Sequence, residues 1–283
     1  MSGPADSNSE EVKRLYLESG LTAAEVAARL GCSPTTVFRR LAALGVPRRP
    51  RGPQPAARAA YSAWSPALAY AIGLIATDGN LSPDGRHISV TSKDIDLLET
   101  LKRCLALPNA ITNNCNGQGD LSHRVQWGSR LMYAWLVSIG IMPDKSLRLG
   151  RVEVPDECFA DFLRGCIDGD GSISTYTDRY NTYKSPHYVY DRLFVTLTSA
   201  SRPFVEWIHD TAQRLFAVQG AVITRNPAPP RQPITVLKYG KHASIRLLHR
   251  LYYAPEVPCL ARKRARALPF LHPEASHFEL GQL

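Results

Sequence analysis

Asp78 and Asp170 each stand directly before a glycine at the end of an apolar run. The runs are Ala71-Ile72-Gly73-Leu74-Ile75-Ala76-Thr77-Asp78-Gly79 and Leu163-Arg164-Gly165-Cys166-Ile167-Asp168-Gly169-Asp170-Gly171. Two carboxylates brought close together repel, and one takes up a proton unless a cation lies between them. Hard oxygen donors at such a junction favour Mg2+ or Mn2+. A divalent ion held there can activate water for hydrolysis. The metal group read from the sequence is Asp78 and Asp170 with the adjoining Gly79 and Gly171.

That chemistry needs two helices that meet at their ends. Ser65-Pro66 opens the first helix, with a capping residue before proline at the first helical position. Asp156 is the expected cap of the second, and Gly79 and Gly171 are expected to close the two helices in the left-handed conformation. Small residues recur four apart, Ala69, Gly73 and Thr77 in one helix and Gly165 and Gly169 in the other. That spacing lets two helix backbones approach closely. Packed in parallel, the helices deliver both aspartates to the same end.

At these residues the sequence resembles the LAGLIDADG homing endonuclease family, in its single-chain form with two motif copies. The second copy matches through Gly165, Ile167, Asp168, Asp170 and Gly171; in the first, Ala76 stands where the motif has its first aspartate. The resemblance implies that the first acid of each motif is chiefly structural and that the last, Asp78 or Asp170, binds metal. It also implies a site lysine after the last helix of each half, which points to Lys145 and Lys263. A lysine beside a scissile phosphate can stabilise developing charge or orient the attacking water. Arg262, Arg264 and Arg266 read as a phosphate-binding cluster.

After each motif one plan repeats: two strands, a helix, two strands, a helix. Alternation in Ile88-Ser89-Val90-Thr91 and stripes such as Ile95, Leu98, Leu101 and Leu105, preceded by Asp94 as cap, carry this reading. Val90-Thr91-Ser92 is echoed by Leu197-Thr198-Ser199, as expected of a duplication. The expected fold is α+β: a duplicated αββαββα core with two curved antiparallel sheets, the first half over residues 61–151 and the second over 152–283. An antiparallel sheet with helices on one face leaves the other free, and alternate side chains on that face can enter a major groove. The candidates are Arg86, Ser89, Thr91, Arg124 and Gln126 in the first half, and Ser172, Ser174, Tyr176, Arg192, Thr196, Arg225 and Lys238 in the second. Loop residues Arg179, Tyr183, Lys184 and Arg231 are placed to reach flanking phosphates.

Residues 1–46 read as a separate all-α domain. Val12, Leu15 and Tyr16 share a helical face; Thr22 with Glu25 forms a capping box before a second helix; Ser33-Pro34 opens a third with Val37, Leu41 and Leu44 inward. This arrangement resembles the helix-turn-helix of site-specific recombinases and many repressors, with Thr35, Thr36, Arg39 and Arg40 on the outer face of the third helix. Residues 47–60 form a basic, proline-rich linker whose Arg48, Arg49 and Arg51 suit phosphates or a minor groove.

The whole chain has 283 residues and a net charge of +9, which favours a polyanionic partner. Six cysteines without a C-x-x-C pair make neither a disulfide framework nor a zinc site, and no apolar run reaches membrane-spanning length. A cytoplasmic monomer with internal pseudo-twofold symmetry is expected. The sequence reads as a metal-dependent endonuclease for a long double-stranded DNA site. Two other readings stand beside it: a non-catalytic helix-turn-helix/LAGLIDADG transcriptional regulator, and a maturase that binds intron RNA.

Overall fold

The structure, a computed structural model, describes residues 4–48, 63–115, 121–180, 182–183, 185–187, 189–226, 228 and 232–271. Arg49, Arg51, Lys184 and Arg231, the Asn116-Gly117 turn and most of the 47–60 linker lie outside these residues. The chain divides into two compact units, Met1–Gln54 and Pro55–Leu283. Among the described residues no helix is long and apolar enough to cross a membrane.

The first unit holds α1 (Pro4–Leu17), α2 (Ala23–Arg29) and α3 (Pro34–Ala43). Its core joins Val12, Leu15 and Tyr16 of α1 to Val26 and Ala27 of α2 and to Val37 and Leu41 of α3. The capping box is formed: Thr22 Oγ1 accepts from the Glu25 amide, and the Glu25 carboxylate accepts from the Thr22 amide at 2.7 Å. Ser33 Oγ accepts from the Thr36 amide at 3.1 Å and so opens α3. Between α2 and α3 the chain turns at Gly31, whose φ of +61° is one that glycine adopts without cost.

In the second unit a single order occurs twice. The first half runs α4 (Pro66–Asp78), β1 (Gly79–Leu81), β2 (His87–Ser92), α5 (Ile95–Leu105), β3 (Ile111–Cys115), β4 (Leu121–Gly128), α6 (Arg130–Ser138). The second runs α7 (Phe159–Asp170), β5 (Gly171–Asp178), β6 (Tyr190–Ser199), α8 (Arg202–Phe216), β7 (Ala221–Arg225), β8 (Ile234–Tyr239), α9 (Lys241–Leu251). Each half makes a four-stranded antiparallel sheet, in the orders β1-β2-β4-β3 and β5-β6-β8-β7. The expected α+β class and duplicated αββαββα order are those observed.

Sheet register follows the hydrophobic alternation. Ile88 and Val90 pair with Trp127 and Val125 and are buried, while Ser89 and Thr91, opposite Gln126 and Arg124, take the other face. In the second sheet Ile173, Leu193, Val195, Leu197 and Leu237 face the helices. Tyr176 pairs with Arg192, and Thr196 with Lys238, on the opposite face.

The halves are joined along α4 and α7, which run in parallel with backbones in contact. A Cβ on Gly73 would be driven into the carbonyl of Phe162, and one on Gly165 into the carbonyl of Tyr70. Further along, a Cβ on Gly169 would strike the Thr77 side chain. The small-residue spacing thus forms the seam. Around it, residues 68–76 of α4 are buried on every side, which explains why that helix is apolar all round.

Several local expectations are corrected. Gly79 and Gly171 are not left-handed; with φ of −82° and −97° they are extended, and each helix passes straight into a strand. They are glycines because a Cβ would collide with the backbone of Ile75 or Ile167 one turn earlier. Asp156 does not cap α7. It lies in a 3-10 turn, Asp156–Cys158, and accepts from Arg214 Nη2 at 2.7 Å. Asp94 makes no cap bond to α5 and pairs instead with Arg262, at 2.7 and 2.8 Å. An unexpected helix, α10 (Ala261–Leu271), follows α9, so Arg262, Arg264 and Arg266 share a helix; Arg264 donates to Pro255 O and Arg266 to Ile173 O.

Gly165→Ala is expected to destabilise the protein by about 3 kcal/mol or more, since neither backbone can yield. Gly150→Ala, where a Cβ meets open space, is expected to stay within about 0.5 kcal/mol of wild type. Chemical denaturation of both variants checks this.

Candidate active site

The ends of α4 and α7 bring Asp78 and Asp170 together. Asp78 Oδ2 lies 3.1 Å from the point where a Cβ on Gly169 would stand, so the carboxylate packs over the tip of the neighbouring helix. Thr77 points back along α4, donating to the carbonyls of Gly73 and Leu74 at 3.1 and 3.2 Å. Asp78 is half-buried and Asp170 exposed, and partial desolvation at the helix tips raises both carboxyls above their usual range. For Asp78 the charge of Asp170 adds to burial, and its carboxyl is pushed up to about 7.

The two predicted lysines meet these tips from outside, and both are buried. Lys145 enters on a 3-10 turn (Lys145–Leu147) and donates to the carbonyls of Thr77, at 3.2 Å, and Gly79. Lys263 enters on α10 and donates to Ile167, Asp168 and Gly171, each at 2.7 Å, and to Gly169 at 3.3 Å. The contacts are pseudo-equivalent: by motif position, Thr77 corresponds to Gly169 and Gly79 to Gly171. Each lysine therefore closes the C-terminus of a motif helix, where unpaired carbonyls carry partial negative charge. Burial lowers both ammonium groups from their usual value, against the pull of the aspartates.

One motif copy is braced by a buried polar network that the other lacks. Asp168 Oδ2 accepts from Tyr70 Oη of α4 at 2.9 Å and from the Leu260 amide at 2.7 Å. Burial pushes its carboxyl up to about 6 despite those bonds. Arg164, fully buried, pairs with Asp161 and donates to Leu251 O at 2.6 Å and Pro258 O at 2.7 Å. Tyr253 Oη also donates to Asp161, at 3.0 Å. These bonds fix the segment that leads into α10 and so carry Lys263 to the tip of α7. In α4 the corresponding positions are Ala69, Ile72 and Ala76. Sequence reasoning did not single out Asp161, Arg164 or Tyr253; an acid and a base three apart inside a buried helix were the available signal.

A cleft of about 280 Å3 opens beside the junction, lined by Ala76, Thr77, Lys145, Ser146, Asp170 and Ser199 among others. Among the described residues no group of three or more His, Cys, Asp or Glu side chains surrounds a common point. The donor set is two carboxylates and neighbouring main-chain carbonyls, those of Gly79 and Gly171 already accepting from the lysines. Such a set fits a small hard cation that keeps several waters.

The other candidates fall into three places. On the first sheet's free face Thr91, Arg124 and Gln126 reach solvent, whereas Ser89 is buried beneath Arg124, whose Nη2 donates to it at 3.1 Å. Arg86 is exposed in the turn before β2. On the second sheet's free face, Lys238 Nζ lies 3.8 Å from the centre of the Phe194 ring, and Arg192 pairs with Asp178 at 2.9 Å. In the first unit Thr35 and Arg39 are exposed on α3, Thr36 and Arg40 half-buried, and Arg48 stacks on Phe38 at 4.4 Å.

No family model matches the chain, and no curated protein matches it. Solved structures with a similar fold include the meganuclease I-SmaMI bound to uncleaveable DNA with a TTGT central four (13% identity, 76% of this chain and 92% of that one, TM-score 0.49). Mesophilic variants of the homing endonuclease I-DmoI are similar at 14% identity (71% and 97%, TM-score 0.46). Full-length DUF199/WhiA from Thermatoga maritima is similar at 12% identity (77% and 70%, TM-score 0.45).

The raised carboxyl of Asp78 has a sign that can be checked without metal. Its folded-state value, about 7, lies above its ordinary value near 3.8, so ionising it costs stability as pH rises from about 4 through 7. In chelator, Asp78→Asn is expected to stabilise the protein by about 1–3 kcal/mol at pH 8 and to change little at pH 4. Denaturation curves at the two pH values measure this.

Proposed function

We propose that this protein is a metal-dependent endonuclease that cuts both strands of a long double-stranded DNA site. The observation that carries this reading is the convergence of Asp78 and Asp170, from equivalent positions of a duplicated unit, at the seam between two sheets. Asp78 and Asp170 would hold Mg2+ or Mn2+, with the Gly79 and Gly171 carbonyls adjoining. Once bound, the ion would activate water and stabilise the leaving oxygen of a phosphodiester. Within the chain, Lys145 and Lys263 hold the helix tips and add positive charge near the target phosphates. One sheet follows each motif helix, and their free faces would offer Arg124, Gln126 and Thr91 on one, and Arg192, Thr196 and Lys238 on the other, to the two halves of a duplex site. Residues 1–46 would serve as a tethered helix-turn-helix, with Arg39 and Thr35 presented on α3; a second linked contact raises affinity through effective concentration. The linker arginines Arg48, Arg49 and Arg51 would follow the phosphate backbone.

A second reading, a DNA-binding regulator without cleavage, is favoured by one observation. Among the described residues, Lys145 and Lys263 donate to main-chain carbonyls at the ends of the motif helices and at the first residues of β1 and β5. Cleavage of a library of long duplexes separates the two. With Mg2+, wild type is expected to produce double-strand breaks, and Asp170→Asn to lose about a thousandfold or more in rate while still binding. Sequence-specific binding with no cleavage in Mg2+ or Mn2+ would select the regulator.

A further inference from the structure

The second sheet has an outer edge that the helices beside it cover only in part. β1 has three residues, whereas β5 has eight and lies at the edge of its sheet. Along an antiparallel strand, the main-chain groups of successive residues point alternately to one neighbour and to the other. Val195, opposite Ile173, turns its amide away from β5 and donates to Ser244 Oγ at 3.0 Å. Gly171, Ile173, Thr175 and Thr177 therefore share the outward edge. α10 satisfies the first part of it: Lys263 donates to Gly171 O at 2.7 Å and Arg266 to Ile173 O at 3.2 Å. Thr175 and Thr177 lie further along, both exposed, and line a cavity of about 830 Å3 that residues of α9 and α10 also line. An uncovered strand edge is a template for another extended segment.

We propose that this edge and cavity bind residues 272–283 of the same chain, with Phe278 and Leu280 seated in the cavity and the main chain paired to Thr175 and Thr177. The cavity lining is apolar at Ile245 and Phe270 and positive at Lys241 and Arg266. Asp191, the one acid among the lining residues, already accepts from Thr177 at 3.0 Å. The segment has the complementary chemistry. Ser276-His277-Phe278-Glu279-Leu280 alternates polar and apolar residues in the manner of a half-buried strand. Residues 272–283 include Glu274 and Glu279 but no lysine or arginine. The segment also begins at the right place. α10 follows β5, with Lys263 at Gly171 and Arg266 at Ile173, and its last turn puts Pro269 and Phe270 on the same lining as Thr175 and Thr177. Residues 272–277 reach up to about 20 Å when extended, enough to turn back along the strand. In such a strand addition the main-chain bonds give affinity and the alternate side chains give selectivity.

Amide hydrogen exchange of the full chain, without metal or DNA, tests this and stands apart from the endonuclease reading. The Thr175 and Thr177 amides are expected to exchange about tenfold or more slowly in wild type than in Phe278→Asp. Phe278→Leu is expected to keep the protection, since the cavity takes an apolar side chain. Amides of β1 are expected to exchange alike in all three proteins. Equal rates at Thr175 and Thr177 in wild type and Phe278→Asp would overturn the proposal, whether both are fast because the edge is bare or both slow because something else covers it. Protection that rises with protein concentration would also overturn it, by making the occupant a segment of a second copy.

Discussion

The contact on which the second unit depends is the backbone approach of α4 and α7. With glycine at positions 73 and 165, the carbonyls of Phe162 and Tyr70 take the space that side chains would fill. The distance between helix axes, and with it the position of both helix ends, is then set by main-chain atoms that have no rotamers to adjust. The aspartates inherit that rigidity. A site whose acids sat on loops would have to be ordered by its substrate; here the order is built in by the seam.

The same approach creates an electrostatic difficulty. Two helix C-termini each carry about half a negative charge, and an aspartate sits at each. Desolvation raises both carboxyls, and at Asp78 the charge of Asp170 adds to it. Lys145 and Lys263 answer part of that difficulty by closing the tips through the carbonyls they contact. Removing a lysine would leave buried carbonyls unpaired as well as a charge uncompensated, so these residues carry a structural duty whatever else they do. That duty also explains why a lysine can stand in the buried stripe of α10 with Ala267 and Leu271.

Much of this was legible in the residues themselves. Period-2 alternation placed Ile88 and Val90 inward, and the recurrence of small residues at a spacing of four located the helix seam, because both signals arise from the geometry they describe. The glycines of the motif were legible as necessary but not for the right reason: composition shows that a Cβ is excluded, not whether φ or a neighbouring backbone excludes it. Asp94 and Asp156 stood at positions where caps are common, yet each is drawn away by an arginine distant in sequence, Arg262 or Arg214. The helix α10 was hidden by its own charges, since a run of arginines and a lysine reads as surface. The Arg164–Asp161 pair was hidden by its position, because its partners are carbonyls at Leu251 and Pro258 that no side-chain pattern reports.

The bond from Tyr70 to Asp168 runs one way only. By motif position the reciprocal pair is Phe162 and Ala76, which can neither donate nor accept. Each half is therefore a poorer partner for a copy of itself than for the other half. Two first halves would bring a tyrosine hydroxyl to an alanine, and two second halves would leave a carboxylate facing a phenyl ring. Whatever symmetry the chain began with, the molecule is now a matched pair of unlike pieces, and its covalent continuity guarantees the only pairing in which that hydroxyl is used.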